Sequence, residues 1–184
     1  SAQLDNVLSA AIILYLYQHG FAGTAFFTAQ EEAGKSWRFV HEWFKKNKIS
    51  TDKLVVLDTS PYETREEADK QLVVLRNKDV NAKFKSPLLK ELKQFCKKNK
   101  ISFSCKDKFI IEKNKLREKE GLKPISIGST ELGRIVMESN GQIQGATLQI
   151  PTTGYHTVDE TACVESIKAI IFILSSFYIK TVNI

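Results

Sequence analysis

Apolar positions along this chain alternate between short runs and longer periodic stretches. Leu8 to Gln18 is rich in alanine and leucine, reads as a helix and is closed by Gly20. Thr24 to Gln30 is a compact apolar run that predicts a buried strand. Ser36 to Lys46 sets Trp37, Phe39, Val40, Trp43 and Phe44 at close to helical spacing. Lys53 to Leu57 predicts a short strand that runs into Asp58-Thr59-Ser60-Pro61, where the proline is expected to end it. Gln71 to Leu75 reads as a strand, Pro87 to Lys98 as a helix with proline in its first turn, and Ile101 to Ser104 as a strand. Lys113 to Leu122 is charged and sparsely apolar, a surface loop or short helix. Ala146 to Ile150 predicts a strand ended by Pro151, and Thr161 to Tyr178 a long helix apolar over most of its surface. Strands alternating with helices predict an α/β fold, a three-layer sandwich with a mixed, largely parallel sheet flanked by helices.

The excess positive charge, +6 in all, has a local explanation. Much of it sits in two near-copies, Phe44-Lys45-Lys46-Asn47-Lys48-Ile49-Ser50 and Cys96-Lys97-Lys98-Asn99-Lys100-Ile101-Ser102. Each follows an amphipathic stretch and precedes a strand-like one. Lysines complement the negative end of a helix dipole, and asparagine tolerates the left-handed conformation that stops a helix. The two copies are repeated helix stops. A nucleic-acid surface would interleave aromatic and basic residues on an open face, so no nucleic-acid partner is expected.

With 184 residues, 42% hydrophobic and 26% charged, the chain has the composition of one globular domain. Its longest apolar runs, Ala10 to Tyr17 and Ala169 to Leu174, fall short of the roughly 20 residues that span a bilayer, and no membrane association is expected. Cys96, Cys105 and Cys163 are odd in number and share no CxxC spacing. With no signal-peptide pattern visible, they read as reduced thiols of a cytoplasmic protein.

The chemistry lies in the acids. In parallel α/β sheets ligands bind outside the carboxyl ends of the strands. Glu31 and Glu32 follow one candidate strand and Asp58 the next; His156 follows the strand expected to end at Ile150, and Asp5 precedes the first helix. Hard oxygen donors with a histidine suit Zn²⁺, Mn²⁺ or Co²⁺, and a thiolate-free set favours a catalytic over a structural site. Two close cations would cancel the repulsion among so many carboxylates. Each motif alone also has a plainer reading. Glu31-Glu32 can be a solvated turn, Asp58 a turn former, Asp5-Asn6 a helix N-cap, and His156 a hydrogen-bonded surface residue. His19 and His41 read as structural.

Taken in order, Leu4-Asp5-Asn6, Gln30-Glu31-Glu32-Ala33-Gly34, Leu57-Asp58 and Ile150-Pro151-Thr152-Thr153-Gly154-Tyr155-His156-Thr157 resemble the motifs of co-catalytic dizinc aminopeptidases. The resemblance is to the glutamyl and deblocking enzymes that form tetrahedral assemblies, and it runs from Leu4 to about Tyr178. It implies that Asp5 bridges two metal ions, that Glu32 and His156 complete one site, and that Asp58 serves the second. Glu31 becomes the general base acting on the metal-bound water, a role open to a carboxylate that is not itself locked on a cation. The implied function is a metal-dependent exopeptidase, or aminopeptidase, that removes N-terminal residues from peptides and works as a homo-oligomer. An amidohydrolase (deacylase) of the same clan would share this metal chemistry.

The sequence also departs from that pattern. It contains no His-x-Asp motif upstream of Asp5 for the second metal and no inserted lid domain. Val7 stands where an arginine often follows the Asp-Asn pair, and Gly128-Ser129-Thr130-Glu131 replaces a Gly-Thr-Asp loop. Residues 1–184 are therefore expected to form a single domain, the C-terminal part of a catalytic domain. Two divalent ions, zinc foremost, are expected in the complete enzyme and one or none in this chain, with little activity by itself. A catalytically inactive relative kept as an interaction or assembly module is the competing expectation.

Overall fold

A computed structural model describes residues 4–179. In chain order it contains α1 (Val7–Gln18), α2 (Trp37–Asn47), β1 (Thr51–Pro61), α3 (Arg65–Asp69), β2 (Val73–Leu75) and α4 (Pro87–Lys98). These are followed by β3 (Phe103–Cys105), α5 (Lys106–Lys119), α6 (Glu131–Glu138), β4 (Ile143–Thr153), β5 (Thr161–Ala162) and α7 (Val164–Tyr178). The strands form one mixed sheet in the order β1-β4-β2-β3, with β5 hydrogen-bonded to β4. β1 runs parallel to β4 and β2 parallel to β3, while β2 and β5 are antiparallel to β4. The expected α/β class with a mixed, mostly parallel sheet flanked by helices is what the chain forms.

The core follows strand alternation. Val73 and Leu75 of β2 join Ala146, Leu148 and Ile150 of β4 in one apolar cluster with α1, α4 and α7. Val74, pointing to the opposite face, packs with Tyr62 and Ala68 instead. On β4 the residues between those apolar ones include Thr147 and Gln149, both fully buried. That polar stripe beneath one face is where the site is built.

Both lysine-rich repeats stop helices, as expected, but the left-handed residue is the lysine after the asparagine. Lys48 has φ 54° and Lys100 φ 56°. Each asparagine turns back instead, Asn47 donating to the carbonyl of Trp43 at 2.8 Å and Asn99 to that of Phe95 at 2.9 Å. The orphan carbonyls of the last turn are thereby satisfied.

β1 continues past Leu57 and ends at Pro61 as expected, whereas Pro151 does not end β4, which continues to Thr153. Tyr62 donates its N–H to Thr152 at 2.8 Å, so the alternate position, Pro61, faces away from β4, where β1 has no described neighbour and no donor is needed. Pro151 lies where β4 changes partner, pairing with β2 at Gln149 and with β5 at Thr152. The largest correction concerns Thr24 to Gln30, which forms no strand. A strand is made by its ladder, and this segment has none; Phe26 lies against Trp43 and Phe44 of α2 instead. The charged stretch Lys113 to Leu122 belongs mostly to the 14-residue helix α5, which begins at Lys106. Helix α3, five residues with one apolar side chain, is too short to announce itself by periodicity; α6 does set Leu132, Ile135 and Val136 at helical spacing, all of them buried, and is nevertheless not among the expected helices.

Candidate metal centre

Asp5 sits in the turn leading into α1, and its segment is held from a distance. The backbone N–H groups of Leu4 and Asp5 donate to Glu160 Oε2 at 2.9 and 3.1 Å. Asn6, in the N-cap position, makes no capping bond; its Nδ2 donates to Leu57 O at 3.1 Å and Asp58 Oδ1 at 3.2 Å. The plain N-cap reading therefore does not hold. The Asp5 carboxylate is almost wholly withdrawn from solvent, its side chain 6% exposed.

Glu31 and Glu32 lie in a tight turn, not at a strand end. Gln30 and Gly34 both have φ 64°, and Gly34 N–H closes on Glu31 O at 2.6 Å. His156 lies on the loop between β4 and β5 and has φ 59°, a conformation costly for a residue with a Cβ and common at functional positions. The loop turns at Gly154, where an added Cβ would lie 2.7 Å from the carbonyl oxygen of Asp159. Tyr155 stacks on the imidazole with ring centroids 3.7 Å apart, and its side chain neighbours the Asp5 carboxylate.

These loops bring three donors together. His156 Nε2 lies 3.0 Å from Glu32 Oε1 and 3.6 Å from Asp5 Oδ2, and the three ligand atoms are all within 4.8 Å of one another. Zinc–ligand bonds of about 2.1 Å at tetrahedral angles put ligand atoms about 3.4 Å apart. Two carboxylate oxygens and an imidazole nitrogen at these separations fit a divalent cation in charge, chemistry and size.

Electrostatics point the same way. Burial, then the charges of Glu32 and Glu160, raise the Asp5 pKa. Glu31 is raised by burial, Glu32, Asp5 and Glu131, against the pull of Arg134. Asp58 is pushed up to about 8 by burial and by the nearby charges of Asp5 and Glu31. A cluster of acids that resist ionising together is one that a cation would relieve.

Asp58 is brought beside this group but not into it. It lies three residues before the end of β1, and its oxygens accept from Asn6 Nδ2, the Thr59 N–H at 2.8 Å and Gln149 Nε2 at 3.2 Å. His19 bonds the carbonyl of Tyr15 at 2.8 Å and stacks on that ring, and His41 neighbours Trp37; neither joins the cluster. A polar cleft of about 270 Å³ opens beside Glu31 and Glu32, walled by Trp37, Ser129, Arg134 and Tyr155. Sequence reasoning missed Tyr155, Glu160, Gln149 and Arg134. Only Tyr155, next to the histidine, had a signal in the sequence; the others act through contacts that spacing does not encode.

No protein-family model matches the chain, and no curated protein matches it. Solved structures do. An aminopeptidase from the archaeon Desulfurococcus kamchatkensis superposes with a TM-score of 0.69 at 15% identity, covering 97% of this chain and 48% of its own. The dodecameric PhTET1-12s gives 0.67 at 15% identity, with 98% and 50% covered. The Pyrococcus horikoshii TET1 peptidase, which can assemble into a tetrahedron or a large octahedral shell, gives 0.57 at 16% identity, with 84% and 40% covered. The chain spans about half the length of these proteins or less, and over that length it shares the fold of the TET aminopeptidases.

Proposed function

We propose that this chain carries the greater part of a dimetal aminopeptidase centre, acting on peptides within a protein that assembles as a homo-oligomer. The observation that carries the reading is the convergence of Asp5, Glu32 and His156 with Glu31 unengaged beside them. Asp5, Glu32 and His156 would hold one divalent ion, zinc foremost, and Asp5 with Asp58 would serve a second. Bound cations supply the charge that polarises a scissile carbonyl and acidifies a water molecule. Glu31 accepts the proton from the attacking water and returns it to the leaving amine. Its pKa, raised above the ordinary glutamate value by burial and by the acids beside it, moves in the direction that favours taking up a proton. Tyr155 fixes the imidazole plane by stacking and steadies the Asp5 carboxylate, while Glu160 anchors the backbone on which Asp5 is carried. The cleft next to Glu31 receives the residue to be released. The fold shared with aminopeptidases supports this reading, and the odd, unpaired cysteines suit a cytoplasmic setting.

The test is digestion of an unblocked peptide and its N-acetylated twin with zinc or cobalt present, using the complete protein. Stepwise release of N-terminal residues from the unblocked peptide alone is expected. Cleavage confined to the acetylated peptide would assign a deacylase, and no turnover of either, with no metal bound, would assign an inactive relative.

A further inference from the structure

Asp58 does not choose its own direction. It lies next to the Asp5 cluster, yet it is held from the sheet side by Gln149, its register partner on the neighbouring strand. Gln149 is 1% exposed and its amide is fully used. Nε2 donates to Asp58 Oδ2 at 3.2 Å and to Thr59 O at 2.9 Å, while Oε1 accepts from Arg76 Nε at 2.9 Å. Only one amide orientation is compatible with these neighbours. Reversed, the carbonyl would face two acceptors and the NH₂ a guanidinium, leaving buried groups unpaired on both sides. Arg76, itself buried, is held in turn by the carbonyl of Ile127, on the loop that leads to Ser129 in the cleft wall.

Resting on the metal-centre reading above, we propose that Gln149, its amide orientation dictated by Arg76, is the positioning residue that aims Asp58 at the cation site. Nothing in its chemistry touches substrate. Its contribution is to fix one oxygen of a carboxylate whose other oxygen is already fixed by Asn6 and the Thr59 N–H, so that Asp58 keeps a single rotamer. Arg76 makes this a three-residue relay from the loop wall to the ligand, and it is a buried cation that feels the charges of Asp58, Asp79 and Asp107.

The test combines crystal structures with zinc calorimetry on the wild-type chain, Gln149→Met, Arg76→Lys and Arg76→Met. Gln149→Met keeps the volume and removes the donor. In its structure Asp58 should leave its wild-type rotamer, and zinc or cobalt affinity at the weaker site that Asp58 serves should fall about 10- to 100-fold, the range for residues that orient a ligand, with the Asp5–Glu32–His156 site unchanged. Arg76→Lys, which can still donate to Gln149 Oε1, should retain most of the affinity that Arg76→Met loses; a merely structural role would not sort these two by hydrogen-bonding ability. If Gln149→Met does not fold, the Arg76 pair decides. Asp58 holding its rotamer in Gln149→Met, or equal affinities for the two Arg76 variants, overturns the proposal. A wild-type chain that binds neither zinc nor cobalt removes the affinity readout only, and the rotamer of Asp58 in the variant structures then decides the positioning role; the metal-centre reading is decided separately, by the metal content of the complete protein.

Discussion

Glu32 and His156 are separated by 124 positions, yet Oε1 of one lies 3.0 Å from Nε2 of the other. Both side chains are about half exposed, 59% and 49%. An exposed hydrogen bond of this kind contributes little to stability. Two loops, each turning on a left-handed residue, nevertheless meet there, and a third segment delivers a buried carboxylate within 3.6 Å. The cation binding proposed above would explain why a strained backbone is kept for a contact that stabilises so little.

Replacing Glu31 with Gln in the complete protein should abolish turnover and leave metal content nearly unchanged. Amide and carboxylate share a shape, but only the carboxylate accepts a proton. Elemental analysis beside a peptide-release assay checks this, and loss of metal from Glu31→Gln would show that Glu31 and Glu32 exchange roles.

The 184-residue chain should hold at most one zinc tightly. Asp5, Glu32 and His156 would provide the three protein ligands of an open catalytic site, whereas Asp5 and Asp58 alone would leave a second ion held mainly by water. Calorimetric titration should show His156→Ala abolishing tight binding and His19→Ala and His41→Ala leaving it unchanged. Two tight sites per chain would mean that another histidine completes the pair.

Chelated protein should lose stability as pH rises from about 5 to 7. Asp58 in the folded chain titrates at about 8 against an ordinary 3.8, so the native state binds a proton there that the unfolded state has released. With fewer protons on the unfolded state, unfolding becomes easier as pH rises through that window. Asp5 and Glu31 are shifted the same way. Lys106, lowered to about 7 by burial, acts in the opposite sense only above that pH. Thermal melts in EDTA should show a steeper decline for wild type than for Asp58→Asn. Parallel slopes would mean that Asp58 is already ionised without metal.

Gly133→Ala should destabilise the fold by about 1–3 kcal/mol, although alanine normally favours a helix. A Cβ at Gly133 would lie 1.9 Å from Asp79 Oδ2, and that oxygen accepts from the N–H and hydroxyl of Thr130 at 2.7 and 2.8 Å. The bulk would push Asp79 from the N-terminus of α6, which forms one side of the cleft. Urea unfolding checks it; an unchanged midpoint would show that Asp79 relocates freely.

The fold was readable where one signal sufficed. The apolar runs marked β1, β2 and β4, proline marked the start of α4, and the two lysine repeats marked helix ends. The run Thr24 to Gln30 misled because an apolar run records burial, not pairing. Pro61 ends β1 as expected, but Pro151 misled about the length of β4, because a missing N–H is harmless where the ladder changes partner.

By itself, then, the sequence determined the candidate ligand types, their order along the chain and their placement near strand ends and turns. Those are local consequences of residue chemistry and periodicity. Tertiary structure alone decided that Asp5, Glu32 and His156 meet while Asp58 stands one hydrogen-bonded step behind them. It also decided that Glu160, Gln149 and Arg76 hold them there. A buried carboxylate or amide serves whichever donors and acceptors the completed fold brings within about 3 Å, and such partners, dozens of residues apart, leave no mark on spacing.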